Sequence, residues 1–183
     1  ESYRAMKKGN VAPDIELVSA KTLVGGVNSS AGNRGAGGGS AGNISRQIST
    51  GSGIARLSEI RSRFTLVVFG ASWCPACQTE LTQIAGYYPN WKKQGVEVVF
   101  VSLDEQAEEF RKFAANFPFI STCDFKKWES PAVKSYHVFA TPTMFLLDAH
   151  RKIVLRPNSA RQVDAWVDWF LVQGNLPAGS VKS

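Results

Sequence analysis

The sequence predicts an α/β fold, a central mixed β-sheet flanked by helices, and three patterns point to that class. Residues 64–70 and 96–102 are short β-branched and aromatic runs, and between them residues 75–93 keep helical spacing. Strand, helix, strand in that order implies a right-handed parallel crossover. Residues 144–148 and 152–155 alternate around Ala149-His150-Arg151, the pattern of an antiparallel hairpin. A capping box from Ser159 to Gln162 then opens a helix with an apolar stripe of Val163, Trp166, Val167, Phe170 and Leu171.

At 183 residues with 44% hydrophobic content, the chain can bury one sizeable core and is short for two, so one domain over residues 1–183 is expected. Its net charge of +6 is spread over many segments. No basic run forms a nucleic-acid stripe or a membrane anchor, so the charge reads as solubility with mild steering toward acidic partners. Three cysteines, two of them close together, are too few for a structural disulfide framework. The chain shows no initiator Met, no apolar signal region and no run of transmembrane length. It has the look of a trimmed piece whose removed part could have been a signal peptide, a lipid anchor or a further domain.

Taken in order, residues 1–10 are polar and read as a loose arm, and residues 15–20 and 21–24 as short extended segments. The tract 25–53 is crowded with Gly, Ser and Asn and has too little apolar surface to offset its ordering entropy. A mobile surface insertion is expected there, a substrate-contacting loop being the other reading. The core is expected over 54–176. Leu57-Ser58-Glu59-Ile60 reads as a helical turn feeding the first strand, and Gly95 breaks the chain after the long helix. Asp104 is expected to cap the next helix, with Glu105, Glu108 and Glu109 early, Arg111 and Lys112 late, and Pro118 beyond its end. Ala107, Phe110, Ala114 and Phe117 would form its apolar face. Residues 119–121 read as a short strand, residues 128–137 as a short helix, and Gly174 as the stop of the last helix.

The candidate chemistry sits at Ser72-Trp73-Cys74-Pro75-Ala76-Cys77, where the first strand turns into the long helix. Pro75 suits the first helical position, because the N–H it lacks would be unpaired there, and this makes Cys74 the N-cap. An N-cap side chain faces unpaired N–H groups and the positive end of the helix dipole, both of which favour an anion. Cysteines so placed have pKa values lowered to roughly 3.5–7.5, so Cys74 is expected to be the exposed, ionised nucleophile. Cys77 lies one turn on, on the face of Leu81, Ile84, Ala85 and Tyr88, and is expected to be the sheltered, resolving thiol. Cys-x-x-Cys is also half of a tetrahedral zinc site, but the remaining candidates Cys123, His137 and His150 are scattered, so no metal is expected.

Trp73-Cys74-Pro75-Ala76-Cys77 after a buried strand, with Ala140-Thr141-Pro142-Thr143 and an apolar run far downstream, resembles the thioredoxin superfamily. Ala12-Pro13-Asp14-Ile15-Glu16-Leu17 and Glu80 resemble its TlpA/ResA-like branch of extracytoplasmic thiol-disulfide oxidoreductases. The resemblance implies a thioredoxin fold, with residues 1–24 as the arm and N-terminal β-hairpin that this branch adds. It implies reduction of protein disulfides by the Cys74/Cys77 pair, without a further cofactor, in the periplasm or at the outer face of a membrane. Protein substrates and a membrane thiol-disulfide electron donor are the implied partners, and cytochrome c maturation is one role in the branch.

The resemblance also assigns residues. Thr141-Pro142 matches the proline loop, whose cis peptide bond lies against the cysteine pair and whose backbone can take an extended substrate by strand addition. Trp73, Pro75 and Ala76 would complete the substrate surface. Glu80 is either a proton acceptor for Cys77 or an ordinary solvated helix residue, and its match to the branch favours the first. Val68 stands where thioredoxin has a buried aspartate, so that route for the proton is absent. Trp91, Trp128, Trp166 and Trp169 read as packing residues, and Cys123 as a buried small hydrophobe. The Ala-Pro-Asp near the start also resembles peroxiredoxins, but Ala71 occupies the position where those place a Thr or Ser. A non-catalytic protein-binding module is the other alternative.

Overall fold

A computed structural model describes residues 6–17 and 54–174. Five strands, β1 (Phe64–Gly70), β2 (Val96–Ser102), β3 (Ile120–Cys123), β4 (Thr143–Asp148) and β5 (Ile153–Leu155), form one sheet in the order β3-β2-β1-β4-β5. β1, β2 and β3 are parallel, while β4 runs antiparallel to both β1 and β5, so the sheet is mixed as expected. β1 is central and wholly buried, which is why it reads as a continuous apolar run rather than an alternating one.

Among the described residues, four helices follow the expected order: α1 (Pro75–Lys93), α2 (Ala107–Ala114), α3 (Pro131–Ser135) and α4 (Ala160–Gly174). α1 runs through Pro89 although that residue withholds a backbone N–H, because Tyr88 and Trp91 on either side of it are buried. Trp91 Nε1 donates to Asp164 Oδ1 at 2.9 Å, fastening α1 to α4. Phe64 meets Trp166 and Phe170 of α4 edge-on, Phe100 meets Phe113 and Phe117 at the end of α2, and Phe69 and Phe145 pack on Tyr136. Gly95 has φ +87°, a left-handed conformation that lets the chain reverse from α1 into β2.

Several expectations are corrected. Residues 6–10 are not a loose arm: Met6 is buried, and the Gly9 N–H donates to the Ile153 carbonyl at 2.8 Å, because the open edge of β5 offers unpaired backbone groups. Asp104 does not cap α2, which begins after Gln106 without a side-chain cap, and Ala107 is exposed. The carboxylate of Asp104 turns inward instead, toward Ser72 and Ser102. The segment 128–137 is not one helix; Pro131 starts α3 afresh after a 3-10 turn at Lys127–Glu129. Trp128 and Trp169 are exposed rather than packed inside.

The expected β3 is shifted to Ile120–Cys123 by its register with β2. Ile15 and Leu17 bracket a bridge between Glu16 and Arg56. The other extended segment, 21–24, and the insertion 25–53 lie outside the described residues.

Candidate active site

β1 ends and α1 begins within five residues, and the dithiol is built in that turn. Cys74 is the N-cap of α1 with extended backbone, and Pro75 holds the first helical position. Cys74 and Cys77 are joined as a disulfide with their Cα atoms 5.2 Å apart. The Cys77 N–H donates to Cys74 Sγ at 3.2 Å, the N-cap hydrogen bond expected from the sequence. When the pair is reduced, that N–H and the helix dipole face the Cys74 sulfur and favour its thiolate.

Cys77 is fully buried, as its helical face predicts, and Cys74 is also largely sheltered at 8% exposure. The sequence led us to expect a more open sulfur at Cys74. The difference comes from the loop before β4. There Thr141–Pro142 is a cis peptide bond, the Thr141 hydroxyl lies 3.6 Å from Cys74 Sγ, and the Thr141 carbonyl oxygen lies 3.8 Å away. The hydroxyl donates to the sulfur and adds a second donor to the Cys77 N–H. The carbonyl contact becomes a hydrogen bond only when Cys74 carries a thiol proton. Thr141 thus touches the sulfur itself.

Pro75 and Ala76 are exposed beside the pair, Trp73 is 49% exposed, and Pro142 is half-buried. Lys127 places Nζ over the Trp73 ring at 5.4 Å and ion-pairs with Glu105 at 3.4 Å. Phe139, two residues before Thr141, is 88% exposed, an apolar side chain that sequence reasoning did not single out.

The structure gives Glu80 a definite partner: its Oε2 accepts the Ala160 N–H at 2.8 Å, at the start of α4. It is therefore not a plain solvated helix residue. Asp104, missed as a site residue, is the one buried carboxylate among the described residues and sits behind the turn that carries Cys74. The signal was present: it lies just past the carboxyl end of a parallel strand, where α/β sheets gather functional groups.

Gly70 explains the close approach of α1 to β1. A Cβ there would sit 3.3 Å from Cys77 Cβ, from Cys77 Sγ and from a ring carbon of Phe100. Cys123 is buried as expected; burial pushes its thiol up to about 11, and it donates to the Asp104 carbonyl oxygen at 3.2 Å. It lines a cavity of about 360 Å³ with Pro13, Ser130 and Ala132, away from the dithiol. A buried, protonated thiol is a poor nucleophile, which leaves Cys123 in the packing role expected of it. Among the described residues, no group of three or more His, Cys, Asp or Glu side chains could hold a metal, and no helix is long and apolar enough to cross a membrane.

A parallel β1-α1-β2 unit, an antiparallel β4-β5 pair, a disulfide at the first helix and a cis proline facing it define a thioredoxin-type protein. The chain belongs to the thioredoxin-like family, whose profile matches residues 62–153. Among relatives it is 31% identical over 98 residues to the thiol-disulfide oxidoreductase ResA of Geobacillus kaustophilus, covering 54% of this chain and 56% of that one. It is 31% identical over 113 residues to the sporulation thiol-disulfide oxidoreductase A of Bacillus subtilis, covering 57% and 66%. The chain thus spans little more than half the length of the ResA proteins it matches.

Among solved structures, a thiol:disulfide interchange protein from Bacteroides sp. superposes with TM-score 0.69 at 20% identity, covering 96% of this chain and 97% of that one. The thioredoxin domain of a Bacteroides vulgatus thiol-disulfide oxidoreductase gives 0.66 at 20%, covering 90% and 97%. At those identities the superpositions establish the fold.

Proposed function

We propose that the chain is a thiol-disulfide oxidoreductase that reduces protein disulfides through Cys74 and Cys77. The observation that carries this reading is the bonded cysteine pair whose outer sulfur caps α1 beside the Thr141–Pro142 loop. In the dithiol form, the Cys74 thiolate attacks one sulfur of a substrate disulfide. A Cys74–substrate bond forms, the substrate S–S bond breaks, and the departing thiolate takes up a proton. Cys77, having lost its own proton, then attacks Cys74 Sγ and releases the second substrate thiol. Two electrons have moved to the substrate, and the protein is left with its own disulfide. A further turnover requires a donor dithiol, which we assign to a membrane thiol-disulfide carrier.

Roles follow from positions. Cys74 is the nucleophile and Cys77 the resolving thiol. The Cys77 N–H and the Thr141 hydroxyl stabilise the outer thiolate. Glu80 accepts the Cys77 proton; Oε2 is held by Ala160, which leaves Oε1 for that purpose. Trp73, Pro75, Ala76, Thr141 and Pro142 form the surface on which an extended, disulfide-bearing segment lies. The branch that the sequence resembles supports a site of action outside the cytoplasm, where disulfides persist, and a part in cytochrome c maturation.

The test is mixed-disulfide trapping with Cys77→Ala, which stops the reaction after the first attack. Covalent capture of disulfide-bearing proteins at Cys74, abolished by Cys74→Ser, is the expected result. Capture through Cys123, or no capture at all, would remove the assignment.

A further inference from the structure

The turn that presents Cys74 is fixed from below by a carboxylate with no other evident task. Asp104 is 1% exposed, and its two oxygens accept three donors. The Ser72 hydroxyl donates at 2.5 Å to Oδ1, the Ser102 hydroxyl at 2.5 Å to Oδ2, and the Ser72 N–H reaches both oxygens at 3.2–3.3 Å. The Asp104 N–H in turn donates to Ser102 Oγ at 3.0 Å. A buried carboxylate without these partners would be strongly destabilising, so the arrangement holds only if Ser72 is held with it.

Ser72 lies two residues before Cys74, and its carbonyl accepts from Gln78 Nε2 at 2.7 Å. The Cys74 N–H donates to the Ala71 carbonyl at 3.3 Å, and the Leu103 N–H donates to the Gly70 carbonyl at 2.8 Å. The turn from Gly70 to Cys74 is therefore tied to the end of β2 at one point by backbone and at another by Asp104. Cys74 Sγ meets its two donors at 3.2 and 3.6 Å, distances at which a small displacement of the turn weakens both.

We propose that Asp104 is a positioning residue that, through Ser72, holds the Cys74 sulfur against the Cys77 N–H and the Thr141 hydroxyl, and so sets the reactivity of the nucleophile. The proposal rests on Cys74 being the attacking thiol. It differs from a direct charge effect in its sign. A negative carboxylate acting by charge alone would oppose the thiolate, so its removal would make Cys74 more acidic. Loss of positioning makes it less acidic. The other charged groups at this surface, Lys127 over Trp73 and its partner Glu105, are unchanged in either variant below.

The experiment uses the full reduced chain, with alkylation at Cys74 followed by peptide mass mapping against pH, for the unsubstituted protein, Asp104→Asn, Ser72→Ala and the double variant. Ser72→Ala keeps the backbone N–H and is the milder change if Asp104→Asn folds poorly; urea unfolding of each variant measures stability separately. Both single variants are expected to raise the alkylation midpoint, Asp104→Asn by about one pH unit, a tenfold loss of thiolate at pH values below both midpoints. The double variant is expected to shift it no further than Asp104→Asn alone, as for groups acting through one contact. A midpoint that falls or stays put in Asp104→Asn, while the unsubstituted protein shows an acidic Cys74, would overturn this proposal and leave the oxidoreductase reading intact. If Cys74 in the unsubstituted protein ionises like free cysteine, both readings are lost together.

Discussion

At the scale of single residues, the contact between Gly70 and Cys77 sets how near the buried sulfur can come to the sheet. Adding a methyl at position 70 places a Cβ at 3.3 Å from three heavy atoms, two of them in Cys77. Overpacking of this kind costs about 1–3 kcal/mol, while Gly→Ala recovers about 0.4–1 kcal/mol by restricting the unfolded chain. Gly70→Ala is therefore expected to destabilise by about 1 kcal/mol, read as a lower urea midpoint at constant slope. An unchanged midpoint would mean that α1 retreats from β1 without penalty, and the close approach would have no energetic meaning. Cys77 itself was legible as the sheltered thiol from its helical face; the glycine opposite it was not, because the contact joins a strand end to a helix seven residues away.

At the scale of elements, α4 starts on a composite cap. Ser159 Oγ accepts the Gln162 N–H at 3.2 Å, as the capping box in the sequence implies, but Gln162 Oε1 reaches the Asn158 N–H at 2.8 Å instead of that of Ser159. Glu80 of α1 supplies an acceptor for the Ala160 N–H. The cap and the proposed proton transfer separate by substitution. Glu80→Ala removes the cap and is expected to cost about 1 kcal/mol of stability. Glu80→Gln keeps an acceptor for Ala160 and is expected to stay within about 0.5 kcal/mol of the parent. If Glu80 takes the Cys77 proton, Glu80→Gln still slows resolution of a preformed Cys74 mixed disulfide; parent-like resolution in that variant would reduce Glu80 to a cap.

At the scale of the whole molecule, the N-terminal segment is fastened to the core by Asp14 and Tyr136. The Tyr136 hydroxyl donates to the Pro13 carbonyl at 2.6 Å, and burial raises its pKa well above the ordinary value. Burial works upward on Asp14 also, but the Ser58 hydroxyl and N–H at 2.7 and 2.8 Å, the Ile15 N–H at 3.0 Å and the charge of Arg151 outweigh it, and its pKa lies below the ordinary 3.8. A depressed carboxylate stabilises the folded state in full above its unfolded value, and the contribution disappears as pH falls from there through the folded value. Asp14→Asn should lower stability at neutral pH and flatten the loss on acidification below about pH 4, checked by urea unfolding at pH 7 and pH 3. Parallel pH profiles for the two proteins would show that Asp14 plays no part in acid sensitivity.

The sequence by itself determined the main strands and helices of the core, the N-cap placement of Cys74 and the burial of Cys77. All of these follow from local rules: apolar periodicity, turn residues and helix-end chemistry act over a few positions and leave marks that can be read in order. Only the tertiary structure decided that Asp104 faces Ser72 instead of capping α2, that Thr141 shelters Cys74, and that Glu80 holds the start of α4. Each joins residues more than thirty positions apart. A polar side chain bonds whichever partner the packed sheet and helices bring within about 3 Å, and no local pattern encodes that choice.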